Sequence, residues 1–240
     1  KKLKKEKESF LAITETNATY VADYVIVATG SPSFVTFPYN SYTMLHEVGH
    51  TTTEVFPALC ALKVKEDLKS LNNIRVKCTA KLIQEEKVLG EKKGEILFKD
   101  TGLSGILSLE LSSIYQRQTD KKSIHVKLDL APEYSSEEMI DFLKRKNDQV
   151  NQIEEVLSGV FHKMIANQVL KRCREVSIEE IVYVIKNFTF HIEGTLDFKH
   201  SQVTVGGIDL SQMNTDFSSK IHSHLYIIGE VLDIDGDSGG

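Results

Sequence analysis

Cysteine is scarce in this sequence, and what there is lies far apart. Cys60, Cys78 and Cys173 are too few and too scattered for a disulfide framework or a zinc cluster. They read as buried free thiols of a protein from a reducing, cytoplasmic compartment. No apolar run approaches the roughly 18 residues that a spanning helix needs, and no signal peptide is visible. The sequons at Asn17 and Asn187 therefore carry no meaning. A concentrated basic face is missing too: 29 basic residues are interspersed with 34 acidic ones, for a net charge of −5. That balance argues against nucleic-acid and membrane partners, both of which call for clustered positive charge. The only basic run, Lys1 to Lys7, is interrupted by Glu6 and reads as a solvated terminus. An initiator methionine is absent, and the last residues, Gly239-Gly240, suit the entry to a turn or helix better than a domain end. Both ends are expected to be cuts in a longer protein.

What is present is an ordered alternation of element types. Ser9 to Thr14 and Thr19 to Ala28 read as strands, the second ending in the apolar run Val25-Ile26-Val27-Ala28 of a strand buried on both faces. Ser41 to Val48 reads as a short helix closed by Gly49. A strand-rich stretch follows, with Ile74 to Val88 and Glu95 to Phe98 expected to turn through Gly90 to Gly94. Leu103 to Tyr115 sets Leu103, Leu107, Leu111 and Ile114 on one helical face, and Ser123 to Leu130 alternates as a half-buried strand does. Two capping boxes, Ser135 with Glu138 and Ser177 with Glu180, then open helices on either side of a core-packing stripe from Ile153 to Ile165. Strands return at Phe188 to Glu193, Leu196 to Val205 and His224 to Ile228. The apolar strands near residues 25–28 and 225–228 are expected to share one sheet, with everything between them inserted.

Three stretches could carry chemistry. Val27-Ala28-Thr29-Gly30 ends a buried strand on a small residue, which lets backbone approach a ligand at a sheet edge. Thr204-Val205-Gly206-Gly207 allows either a tight turn or close approach to a flat molecule. In Gly229-Glu230-Val231-Leu232-Asp233 a strand runs into carboxylates able to accept hydrogen bonds from sugar hydroxyls. The glycines 239 and 240 beyond them could open a helix facing an anion. The alternating Asp233, Asp235 and Asp237 fit a calcium loop poorly, because Ser238 stands where that loop needs glycine. His222 and His224 flank Ser223 just before the last strand, where an extended chain would set them on one face; they are expected to be exposed or packed rather than proton shuttles, and no catalytic acid or base stands out.

Together these stretches resemble the bacterial NAD(P)/FAD-dependent oxidoreductase family that includes aminoacetone oxidase. The resemblance runs through Ala22 to Gly30, Gly49 to Leu59, Gly94 to Gly105, Leu128 to Pro132, Phe190 to Ile208 and Gly229 to Gly240, in order. It implies an α+β or α/β fold: the remainder of a Rossmann-type FAD domain at residues 1–56 and 191–240, interrupted by an insertion at 57–190. That insertion would comprise a β-rich, barrel-like part at 57–132 and a helical part at 133–190. The implied cofactor is FAD, held through Thr29, Gly30, Gly229, Glu230, Asp233, Gly239 and Gly240, with Thr204, Gly206 and Gly207 facing a small-molecule substrate. NAD(P)H is a candidate reductant, no metal is implied, and the oligomeric state is left open. The family's GxGxxG fingerprint, its glycine-rich stretch after the first strand (here Ser33 to Tyr42) and a proline after Gly105 are missing. The chain alone is therefore expected neither to retain FAD nor to be active. The competing reading is a non-catalytic module that binds a ligand or a protein.

Overall fold

The computed structural model describes residues 2–33, 41–150 and 152–236. The chain is a mixed α+β protein that divides into two compact units, Lys1–Cys60 with Leu196–Gly240, and Ala61–Thr195.

The first unit opens with β1 (Lys2–Glu6) and β2 (Ser9–Ile13), a hairpin turning through Lys7, onto which β3 (Thr19–Ala22) adds antiparallel. The basic run expected as a solvated terminus is thus a strand. Its alternation buries Leu3 while Lys2 and Lys4 face out, and the Lys5 ammonium lies 4.1 Å from the centre of the buried Phe10 ring. The long strand expected from Thr19 breaks at Asp23. Its second half, β4 (Val25–Val27), leaves for another partner and shows Ile26 65% exposed, so it is buried on one face only. The helix α1 (Ser41–Glu47) ends in a Schellman motif, with the His50 N–H bonded to the Leu45 carbonyl and that of Gly49 to His46. Next comes β5 (Phe56–Ala58).

The second unit is a closed six-stranded barrel with a helical block. It runs through β6 (Leu62–Val64), β7 (Arg75–Gln84), β8 (Lys87–Lys99), β9 (Gly102–Ser104), α2 (Ile106–Gln116) and β10 (Ile124–Asp129). Then follow α3 (Ser136–Val150), α4 (Ile153–Val160), α5 (Lys163–Arg172), α6 (Ile178–Lys186) and β11 (Phe188–Thr195). The barrel closes in the order β10-β11-β6-β9-β8-β7. Closure removes the sheet edges, and Val126, Leu128, Phe98, Phe188 and Phe190 fill one core that continues into the helices.

Three local readings change here. The β7–β8 hairpin turns at Glu85-Glu86, and Gly90 to Gly94 lie inside β8 instead of forming the turn. Gly90 is there for space, since a side chain would press on Ile114 of α2. Leu103 belongs to a strand, and α2 starts only after Gly105. The apolar stripe from Ile153 is divided between α4 and α5, where Phe161 is extended and the His162 ring caps the Met164 N–H. The box at Ser135 is complete, each partner's side chain holding the other's N–H at 3.1 and 2.8 Å. That at Ser177 is half formed: the hydroxyl caps the Glu180 N–H, while the Glu180 carboxylate accepts from Arg174.

The chain then completes the first unit with β12 (Val203–Val205), antiparallel to β5, and β13 (Leu225–Ile227), parallel to β4. The register Val25↔Leu225 to Val27↔Ile227 joins the two apolar strands expected in one sheet. Ahead of β12 the expected strand from Leu196 is replaced by a short 3₁₀ turn at Phe198–His200. A separate small core gathers Leu3, Phe10, Val27, Leu45, Leu225 and Leu232.

Candidate functional site

Within the first unit, β12 delivers Thr204 and then runs into Gly206 (φ 89°) and Gly207 (φ 150°). Both positions need glycine. A Cβ on Gly206 would collide with the Glu54 carbonyl oxygen, and one on Gly207 would stand 2.6 Å from the backbone of Leu232. The freed N–H groups find side chains. That of Gly206 donates to Asp233 Oδ1 at 3.1 Å, and that of Gly207 to Thr53 Oγ1 at 3.1 Å. The Thr53 hydroxyl donates in turn to Asp233 Oδ2 at 2.9 Å. Backbone bonds from Thr53 to Gly207, Ile208 to Val231 and Asp233 to Ile208 complete the junction.

The structure therefore brings together Thr204, Gly206, Gly207, Glu230 and Asp233. Glu230 Oε1 accepts the Thr204 N–H at 2.8 Å. Both carboxylates hold this chain's own backbone, and so fix the glycine turn that would face a ligand. Thr29 and Gly30 (φ 73°) lead from β4 into Ser31, whose hydroxyl is fully buried and bonded to that of Thr204 at 2.8 Å. Ser33 bridges Thr204 and Ser201, also at 2.8 Å each. The Thr29 hydroxyl is itself buried and has no hydrogen-bond partner among the described residues. Gly229 turns left-handed (φ 78°) after β13, with nothing within 4 Å of where a side chain would stand. Asp237, Gly239 and Gly240 lie outside the described residues.

Sequence reasoning missed the hydroxyls of Ser31, Ser33, Ser201 and Thr53, because they meet only after residues 154 to 180 positions apart fold together. It also missed Tyr42, whose phenol is pushed up to about 12 by burial, with Glu230 and then Asp233 adding to the rise. The helix-end motif carries His50 into the interior, 2% exposed, where Nε2 lies 3.0 Å from the Ser219 hydroxyl. Ser219 Oγ already accepts from the N–H groups of Ile221 and His222, so its proton goes to Nε2. The remaining His50 proton then sits on the buried Nδ1. Burial holds His50 below its ordinary pKa, against the Gln212 amide, and nearby His222 adds to the lowering. His222 and His224 precede β13 and share no strand face. His222 bonds the Val48 carbonyl at 2.8 Å, and His224 stacks on Tyr24 with centroids 4.3 Å apart. Of the cysteines, Cys60 and Cys78 are buried and Cys173 is partly so; burial pushes the Cys78 thiol up to about 12, which removes it as a nucleophile near neutral pH. Among the described residues no helix is long and apolar enough to cross a membrane.

The buried, unpaired Thr29 hydroxyl and the open space at Gly229 are compatible with the polar edge of a ligand. Comparison with known proteins sharpens this. The family profile described as the HI0933-like protein barrel and H2TH domain matches residues 56–203, more than half of the chain. The chain belongs to the HI0933-like family. It is 26% identical over 239 residues to a 3-dehydro-bile acid delta(4,6)-reductase of Clostridium scindens, covering 92% of this chain and 58% of that protein. Ribosomal RNA dihydrouridine synthases of Haemophilus influenzae and Escherichia coli are 27% and 26% identical over 157 residues. The chain spans 38% of the length of each of those synthases.

Proposed function

We propose that this chain is part of an FAD-dependent oxidoreductase that moves a hydride to or from a small organic substrate. The observation that carries the reading is the Thr204–Gly206–Gly207 turn, locked by Glu230 and Asp233 in a chain that aligns along most of its length with a reductase. On this reading Thr29, Gly30 and Gly229 approach the cofactor. Thr204 and the two glycines after it face substrate, and Gly239 with Gly240 continues the cofactor site. Glu230 and Asp233 act by holding the turn in shape. Bound FAD supplies the hydride chemistry; the residues of this chain position it and exclude water. The buried Thr29 hydroxyl, at present without a partner, would gain one from the cofactor.

The first unit is then the remainder of a Rossmann-type domain. Parallel strands are ordinarily covered on both faces, yet β4 leaves Ile26 bare in a parallel pair, which suits a sheet extended and covered by more chain. The chain by itself would hold FAD weakly or not at all. A likeness to aminoacetone oxidase in substrate, and NAD(P)H as the reductant, are finer parts of the same proposal. The relatives' names point to substrates as different as a bile acid and a ribosomal RNA, so fold cannot choose between them. One observation favours a non-catalytic binding module instead: both carboxylates of the site already hold backbone groups of this chain.

Titrating the full-length apoprotein with FAD separates the readings. Saturable binding, weakened severalfold by Thr29→Val, which removes an unpaired buried hydroxyl and should leave the thermal midpoint unchanged, supports the flavoenzyme. Absence of saturable binding sinks it.

A further inference from the structure

The second unit holds a guanidinium that makes no direct ion pair among the described residues, with Glu66 as its nearby counter-charge. Arg172 ends α5, its guanidinium carbon 3.8 Å from the centre of the Phe188 ring and 4.5 Å from that of Phe190. One of its five N–H donors goes to the Thr189 carbonyl at 2.8 Å. No carboxylate pairs with it among the described residues. The nearby acids are already engaged: Glu66 accepts both the backbone N–H and the ring Nδ1 of His191, and Glu180 accepts from Arg174. Burial lowers the Arg172 pKa, with Glu66 opposing, as for a charge taken partly out of water.

Arg172 lines an open groove of about 520 Å³ together with Arg174, Tyr183, Asn187 and Thr189, and with Glu66 and Glu180, whose carboxylates are turned to His191 and Arg174. A neighbouring groove of about 490 Å³ shares Asn187 and is lined by Lys81, Lys127 and Lys186 and by Glu86, Glu91 and Asp129, of which Glu91 pairs with Lys81 and Asp129 with Lys186. The strand register sets Lys127 directly opposite Thr189 on one side and Lys81 on the other. Like charges facing each other across a ladder are unfavourable. Lys81 has Glu91 at 3.5 Å to offset this, whereas Lys127 has no paired carboxylate among the described residues. Two unpaired cations therefore flank Asn187 and Thr189.

We propose that the Arg172 groove binds an oxyanion group of a ligand, a phosphate ester or a carboxylate, with Lys127 reinforcing it at the Asn187 end. The guanidinium has N–H donors left in a planar fork that suits either group. Tyr183, 56% exposed, offers a flat wall for the rest of the ligand. The site involves none of the residues assigned to the flavin and stands or falls apart from that reading.

The test is an NMR titration of the full chain, following the Arg172 Nε–Hε signal, with inorganic phosphate and with acetate at constant ionic strength. The proposal expects a saturable shift with at least one of them in the millimolar range. A stronger response to phosphate identifies a phosphate ester as the source, and a stronger one to acetate a carboxylate. Lys127→Gln, at a strand face that tolerates polar residues, should raise the half-saturation concentration severalfold while leaving the fold's amide spectrum intact. A linear drift indistinguishable from chloride, or a half-saturation untouched by Lys127→Gln, overturns the proposal.

Discussion

The two units of this chain are held together by different means. In the barrel and helical block each strand is paired on both sides and apolar side chains fill one continuous interior. In the other unit the sheets have only two or three strands and the core is small. There the Gly206-Gly207 turn is fastened by Thr53, Glu230 and Asp233 reaching backbone amides far away in sequence. On the proposed reading the contrast is a division of labour: a scaffold gains most from burial, whereas a turn that meets a ligand needs fixed polar geometry next to exposed edges.

The largest expected effect separates the two directly. Phe190→Ala empties a fully buried site in the barrel and should cost about 3–5 kcal/mol in denaturant unfolding. If the units are as independent as their cores suggest, amide protection around residues 204–233 should change far less than protection in β10 and β11. Asp233→Ala reverses the pattern. It orphans the Gly206 N–H and leaves the Thr53 hydroxyl only the Gly207 carbonyl, a loss of about 1–3 kcal/mol, and should expose amides near residues 206–208 while the barrel stays protected. Loss of protection in the barrel as well would break the comparison.

A pH dependence sharpens it further. His50 is buried with its pKa lowered, so the unfolded chain takes up a proton more readily than the folded one. Stability of the first unit should fall as pH drops below the ordinary histidine value near 6.5, level off below the folded pKa, and be indifferent to pH above it. His50→Gln should flatten that acid limb in thermal melts. The smallest effect lies within the helical block: Ser135→Ala removes a complete capping box and should cost about 1 kcal/mol. Ser177→Ala, where the box is half formed, should cost a few tenths less.

The same contrast explains what could be read in the sequence. Alternation and helical stripes reveal burial, so the strand at 124–129, the helix starts at Ser135 and Ser177, and the joining of 25–27 with 225–227 were all legible. Periodicity says nothing about how glycine is used. The Gly90–Gly94 stretch looked like a turn because a glycine that makes room for a helix and one that bends a strand look alike. The break at Asp23 was hidden because an apolar run does not show that two sheets compete for it. In the site, the glycines and carboxylates were found by motif. Their hydroxyl partners Thr53, Ser31 and Ser201 were not, since a lone hydroxyl acquires meaning only from what tertiary folding sets beside it.

The flavin reading rests most directly on what the purified full-length protein carries. Denaturing it and identifying the released small molecule by absorbance and chromatography should yield FAD, close to one per chain. A protein that releases no flavin, and takes none up when incubated with FAD, would contradict the account.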